Sequence, residues 1–121
     1  MRSYQKLNVW KSSIILAKEV YRLTESFPKE ELYALSSQLK RAVVSIPANI
    51  AEGMGRQYKK DTLQFLFISR GSLYELETEL NIAMAIGYVK EESMHKILPH
   101  LDETLKLLNG FINYLKKADL K

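Results

Sequence analysis

Few residues in this chain are spaced to do chemistry. The stretch "SIPANIAEGMGR", residues 45–56, places Gly53 and Gly55 shortly after Pro47. Clustered glycines can let a phosphate reach the backbone, but a phosphate loop also needs a preceding strand and a Lys-Ser or Lys-Thr pair, and neither is present. Glu92-Ser93-Met94-His95 is a single match to the Glu-x-x-His element that helical bundles use in pairs, with two further glutamates, to hold two metal ions. Helical spacing turns Met94 inward, which leaves Glu92 and His95 outward. His95 and His100 are five apart and do not share a face well. Glu75 and Glu79 are four apart, a spacing that solvated helix faces produce constantly. No serine has an evident histidine–acid pair to activate it. With no cysteine, thiolate metal sites, disulfides and cysteine nucleophiles are excluded. The reading is of a protein that is not an enzyme, with no catalytic residue, cofactor or metal.

The elements that would carry these residues all have helical period. Leu7, Trp10, Ile14, Ala17 and Tyr21 follow steps of three and four, and the pattern stops before Pro28. Leu32, Leu35, Leu39, Ala42 and Ile46 make a second helix. Leu66, Ser69, Leu73, Leu76, Leu80 and Ala83 make a third, which ends at Gly87, a suitable left-handed terminator. Met94, Leu98, Leu101, Leu105, Leu108, Ile112 and Leu115 make a fourth, with Pro99 near its first turns or bending them. Nothing alternates with period two. The links near 26–30, 54–61 and 87–90 are short, so neighbouring helices must run antiparallel. The expected fold is all-α: a single domain over residues 1–121, an antiparallel up-down four-helix bundle with helix 2 kinked at Pro47. Gly53 and Gly55 are expected to end helix 2 and allow a tight turn. Gly71, between Ser69 and Ser72, suggests close approach of another helix.

Helices 1 and 3 carry more apolar surface than one stripe needs. Beside the Trp10/Ile14/Ala17/Tyr21 stripe runs a second, Val9, Leu16, Val20, Leu23 and Phe27, roughly 120° away at ~100° per residue. Phe67 and Tyr74 stand off the main seam of helix 3 in the same way. Val9, Leu16, Val20, Leu23, Phe67 and Tyr74 are therefore candidate residues of a self-association interface. The net charge is +4, and it is uneven: residues 1–60 hold eleven Lys and Arg against five Asp and Glu, residues 61–121 seven against nine. Lys40, Arg41, Arg56, Lys59, Lys60 and Arg70 surround the connection between helices 2 and 3, with Tyr58 among them as a possible stacking platform. They are the candidate contacts to RNA or DNA phosphates. No apolar run approaches the ~18 residues of a membrane span, and no signal peptide is evident, so a cytoplasmic location is expected.

The segments "LNVW", "VYRLTESFPKEELYALSSQLKRAVVSIPANIAEGMGR", "FLFISRGSLYELETEL" and "AIGY" resemble the 23S rRNA intervening-sequence family of bacterial proteins. The likeness spans nearly the whole chain and is weakest after about residue 90. It implies an antiparallel four-helix bundle that assembles as a homopentamer with basic surfaces, and it brings no catalytic residues. A related member, the accessory protein of diversity-generating retroelements, binds nucleic acid and a reverse transcriptase. Two readings follow: an oligomeric bundle that binds RNA or DNA, and an assembly module whose target is another protein.

Overall fold

The computed structural model describes residues 1–31 and 34–119. Four α-helices account for most of it: α1 (Asn8–Thr24), α2 (Leu35–Met54), α3 (Lys59–Ala85) and α4 (Glu91–Lys117). Short 3-10 turns cover Ser3–Lys6 and Lys29–Glu31, and no strand occurs among the described residues. Leu32, read as the first apolar position of helix 2, lies outside the described residues.

Cross-helix pairs define how the helices run. Gly53 meets Thr62, Ile46 meets Ser69 and Ser45 meets Ser72 between α2 and α3. Ser12 meets Thr104 and Glu19 meets His100 between α1 and α4. Phe67 meets Lys116 and Arg70 meets Asn109 between α3 and α4. In each set the numbers rise on one helix as they fall on the other, so these neighbours are antiparallel. Each helix packs on two others in the cyclic order α1, α2, α3, α4, and the α2–α3 contact is by far the most extensive.

That contact is built from small and hydroxyl-bearing residues. A Cβ at Gly53 would lie 2.9 Å from the Cβ of Phe65 and 3.1 Å from the Thr62 carbonyl oxygen. Gly53 therefore sits inside α2 rather than ending it. Its missing side chain lets α3 approach, and Thr62 Oγ1 uses the gap to donate to the Gly53 carbonyl at 2.8 Å. Two turns earlier Ser69 Oγ donates to the Ile46 carbonyl at 2.9 Å, and Ser45 and Ser72 share a bond of the same length. Pro47 lies between these bonds, buried within α2. Its ring removes the N–H that would have met the Val43 carbonyl. Gly55 caps α2 with an ordinary negative φ of −85°, so the turn makes no left-handed demand on it.

The other glycines differ. Gly87 has φ +89° and ends α3 as expected: the Tyr88 N–H returns to the Ala83 carbonyl at 2.9 Å and the Gly87 N–H to Met84 at 3.1 Å. These are the two bonds of a Schellman motif. Gly71, expected at a helix contact, has open space where its Cβ would be. Its neighbours Ser69 and Ser72 make the contact with α2 instead. Pro99 is the ninth residue of α4 and is exposed, beyond the first turns where its spacing had placed it.

The core corrects the reading of α1. Val9, Leu16 and Val20, expected at an interface between chains, are 3%, 0% and 0% exposed within the single chain. They pack with Leu39, Val43, Ile46, Leu66, Leu73, Leu101 and Leu108. Ser12 and Ser13 decide which stripe faces inward. Ser12 Oγ pairs with Thr104 Oγ1 at 2.6 Å and Ser13 Oγ donates to the Trp10 carbonyl at 2.6 Å, so both hydroxyls are satisfied while buried. The alternative stripe stays partly open: Trp10 is half-covered by Tyr4, and Tyr21 is exposed beneath the Lys40 ammonium.

Substituting Gly53 by Ala forces Cβ against backbone and Cβ atoms that cannot swing aside, and should destabilise the chain by about 1–3 kcal/mol. Gly110→Ala, in an exposed interior turn of α4 with nothing near its Cβ, should stabilise it by up to ~1 kcal/mol. Urea denaturation of both variants checks the pair of opposite signs.

Candidate functional site

The bundle topology redistributes the charges that the linear sequence splits by halves. The start of α1, the end of α2, the start of α3 and the end of α4 meet at one end of the bundle. Lys59 Nζ closes that end by donating to the Ala118 carbonyl at 3.0 Å, just past the last turn of α4. Arg2, Lys6, Arg56, Lys59, Lys60, Lys116 and Lys117 gather there, against Glu52, Asp61 and Asp119. Toward the opposite end Glu25, Glu30, Glu91 and Glu92 nearly balance Arg22, Lys29, Lys40, Arg41 and Lys90. The protein is thus polarised along its axis, and Lys116 and Lys117 also suit the negative C-terminus of α4.

The six cations expected to contact phosphate, with Tyr58 expected to stack a base, do not form one patch. Lys40 and Arg41 lie near the start of α2, about 22 Å along the helix from Arg56. Lys40 sits over the Tyr21 ring, 5.3 Å from its centroid, and Arg41 reaches Ser37 Oγ at 3.5 Å. Arg56, Tyr58, Lys59 and Lys60 are together at the basic end. Arg56 pairs with Glu52 at 2.9 Å and lies over the Phe65 ring, 4.6 Å from its centroid. Tyr58 is 50% exposed. A recess of about 260 Å³ between the α2–α3 turn and α4 is lined by Met54, Arg56, Gln57, Tyr58, Lys59, Thr62 and Leu115. Arg70 turns away from α2 toward α4, where its Nη1 donates to Asn109 Oδ1 at 3.1 Å.

The remaining interface candidates also divide. Leu23 is half-buried and packs against the core. Phe67 is half-buried beneath Arg70 and Lys116. Tyr74 is 49% exposed. Other apolar residues are left open: Val44 on α2, Ile68 and Ile82 on α3 and Ile86 just past its end are each about half exposed, as are Ile15 on α1 and, more so, Tyr114 on α4. Ile68 and Ile82 are fourteen residues apart, four helical turns, so they share one side of α3. Gly71 lies between them. Periodicity did not single out Val44, Ile68 and Ile82, because they fall off the Leu66/Leu73/Leu76/Leu80 seam and the Leu39/Ala42/Ile46 seam that define the inward faces of the two helices.

Lys116 and Lys117 were missed because they adjoin Arg56 and Lys59 only in the folded chain. Glu79 was set aside as one of a solvated pair, yet it is 6% exposed, at the α2–α3 seam, and its Oε1 has no hydrogen-bond partner. Burial, then the charge of Glu75 and a hydrogen bond with it, push its pKa from the usual 4.5 up to about 7, against an opposing pull from Arg41. Among the described residues no three His, Cys, Asp or Glu side chains converge as metal ligands. The Glu91–His95 pair is exposed at 3.8 Å. No helix among the described residues is long and apolar enough to cross a membrane.

Fold and surface define a small all-α four-helix-bundle protein with one basic end. The chain belongs to the 23S rRNA-intervening sequence protein family, whose profile matches residues 5–110. Its structure is similar to the 1.70 Å crystal structure of a protein of unknown function from the S23 ribosomal protein family of Bacteroides thetaiotaomicron. The two are 27% identical with a TM-score of 0.80, over 87% of this chain and 95% of that one. No curated protein matches the chain.

Glu79 predicts a pH dependence of stability. Because the folded chain holds its proton up to about pH 7 while the unfolded chain releases it near 4.5, stability should fall as pH rises across that window and level off above it. The total loss should be on the order of 1–3 kcal/mol. Urea denaturation at intervals from pH 5 to 9 should show this decline in the native chain and lose it in Glu79→Gln.

Proposed function

We propose that this protein is a non-enzymatic, self-associating bundle that binds RNA or DNA through its basic end. The carrying observation is the closure of α4 onto α3 by Lys59, which adds Lys116 and Lys117 to Arg56, Tyr58 and Lys60 at one surface. Cations arranged so, with an exposed tyrosine and a shallow recess, suit a phosphate backbone and a stacked base more than a specific sequence. Several copies would repeat that surface and raise its avidity.

Self-association is supported by the exposed apolar residues of α2 and α3 and by Gly71. A glycine inside an exposed helix costs ~1 kcal/mol relative to alanine, and nothing within the chain requires it there. Close approach of a second chain supplies the reason. The homopentamer implied by the family resemblance would show a mass five times that of the 14.0 kDa chain. A second reading, a module that docks another protein, is favoured by the same apolar face.

Light scattering and RNA-binding titrations test the two parts. The native chain should scatter as a closed multimer and bind structured RNA or duplex DNA more weakly as salt rises. Ile68→Glu with Val44→Glu should lower the mass while helicity persists. A single-chain mass at every concentration contradicts the assembly, and absent or salt-independent binding at low ionic strength contradicts the nucleic-acid role. Capture of one defined protein partner without nucleic acid would favour the second reading.

A further inference from the structure

Two cations converge on one aromatic ring in the groove between α3 and α4. The Arg70 guanidinium carbon lies 5.2 Å from the Phe67 centroid and Lys116 Nζ 5.4 Å from the same point. The two charges come from helices forty-six positions apart in sequence, and the antiparallel packing of α3 on α4 brings them together. The two charges therefore stand no more than about 11 Å apart, where like charges repel. Among the described residues the ion pairs involve only Arg56, His95 and His100, so no carboxylate neutralises either cation. Phe67 is half-buried against the core, and its ring stands within cation–π range of both charges. Arg70 is further fixed by the bond from Nη1 to Asn109 Oδ1 at 3.1 Å. That bond uses one of five guanidinium N–H groups. Lys116 lies in the last turn of α4, at the basic end of the bundle.

A preorganised pair of cations without a counter-charge is a site for an anion that two donors can share. A carboxylate side chain from within the fold would serve, and none among the described residues pairs with either cation. The guanidinium presents a planar fork suited to a tetrahedral oxyanion, and the lysine adds a point charge.

We propose that Arg70 and Lys116, held on the Phe67 ring, clamp a backbone phosphate of a nucleic-acid strand that enters the α3–α4 groove from the basic end. This rests on the nucleic-acid reading above and adds a defined contact to it. The clamp reads charge and phosphate geometry, not base identity. It extends the binding track from the end of the bundle up its α3–α4 side.

The test compares variants that lose equal charge. Labelled single-stranded RNA, single-stranded DNA and duplex DNA are titrated with the full-length chain over a KCl series. Arg70→Gln with Lys116→Gln should weaken binding about ten-fold or more and make the slope of log affinity against log salt shallower by about two. Lys90→Gln with Lys96→Gln, two exposed positions at the opposite end of the bundle, removes the same charge and should change affinity less than about three-fold. Arg70→Lys keeps the charge and loses the fork, and should still weaken binding by about three-fold or more. Circular dichroism confirms that each variant is folded, and Arg70→Lys carries the test if the double variant is not. The three probes distinguish the strand type that the groove accepts. Equal losses in the two charge-matched double variants, or full affinity in Arg70→Lys, overturn the clamp and leave the broader reading standing. A native chain that binds none of the probes at low salt overturns both. Binding of polyglutamate as tightly as RNA would assign the site to acidic protein segments and overturn the proposal as well.

Discussion

The packing of α2 on α3 depends on one absent side chain. At Gly53 the two backbones are close enough that a Cβ would touch Phe65 and the Thr62 carbonyl. The same closeness puts Thr62 Oγ1 within bonding range of the Gly53 carbonyl. From that point the register is carried upward by Ser69 on Ile46 and by Ser45 with Ser72. Each hydroxyl would be costly if buried alone. Paired as they are, they specify one alignment of the two helices, which a purely apolar seam would leave free to slide. Once that alignment is set, Leu66, Leu73 and Leu80 point into the core and Arg70 points to α4.

A second pair of small hydroxyls plays the same part across the bundle. Ser12 and Thr104 join α1 to α4, and Thr104 also donates to the His100 carbonyl at 3.0 Å in its own helix. Small polar residues in the interior thus set distances, while the large apolar side chains fill the space those distances leave. Glu79 is the departure from this economy. It is buried at the α2–α3 seam with an unpartnered oxygen, and it stays neutral to higher pH for that reason.

Much of the fold was legible in the sequence, because four long segments keep helical period and Gly87 stands where a helix must stop. The division of α1 into core and surface was not. Its two apolar stripes have nearly equal strength, and the choice rests on whether buried Ser12 finds a partner across the bundle, which only the packed neighbour Thr104 decides. Gly53 was legible as unusual but not as a contact, since a glycine near a helix end reads first as a terminator. Clustering of cations in sequence gave a partial view of the surface. It found Arg56, Lys59 and Lys60, joined them to Lys40 and Arg41 at the far end of α2, and could not see Lys116, which is close only through the antiparallel return of α4. The exposed Ile68 and Ile82 escaped because they lie off the inward seam of their helix, and scattered surface apolar residues are common enough to carry little signal.

The polarity of the bundle follows from the same topology, since helices that alternate in direction bring the start of α1 and α3 together with the end of α2 and α4. The α2–α3 seam is the element on which this arrangement rests, so its resistance to opening is the most direct measure of the account. Native-state amide hydrogen exchange across a denaturant series reads it residue by residue. Amides of α2 and α3 flanking Ile46, Gly53, Thr62 and Ser69 should exchange only through global unfolding, with α1 or α4 opening at lower free energy. Exchange of the seam amides before those of α1 and α4 would contradict it.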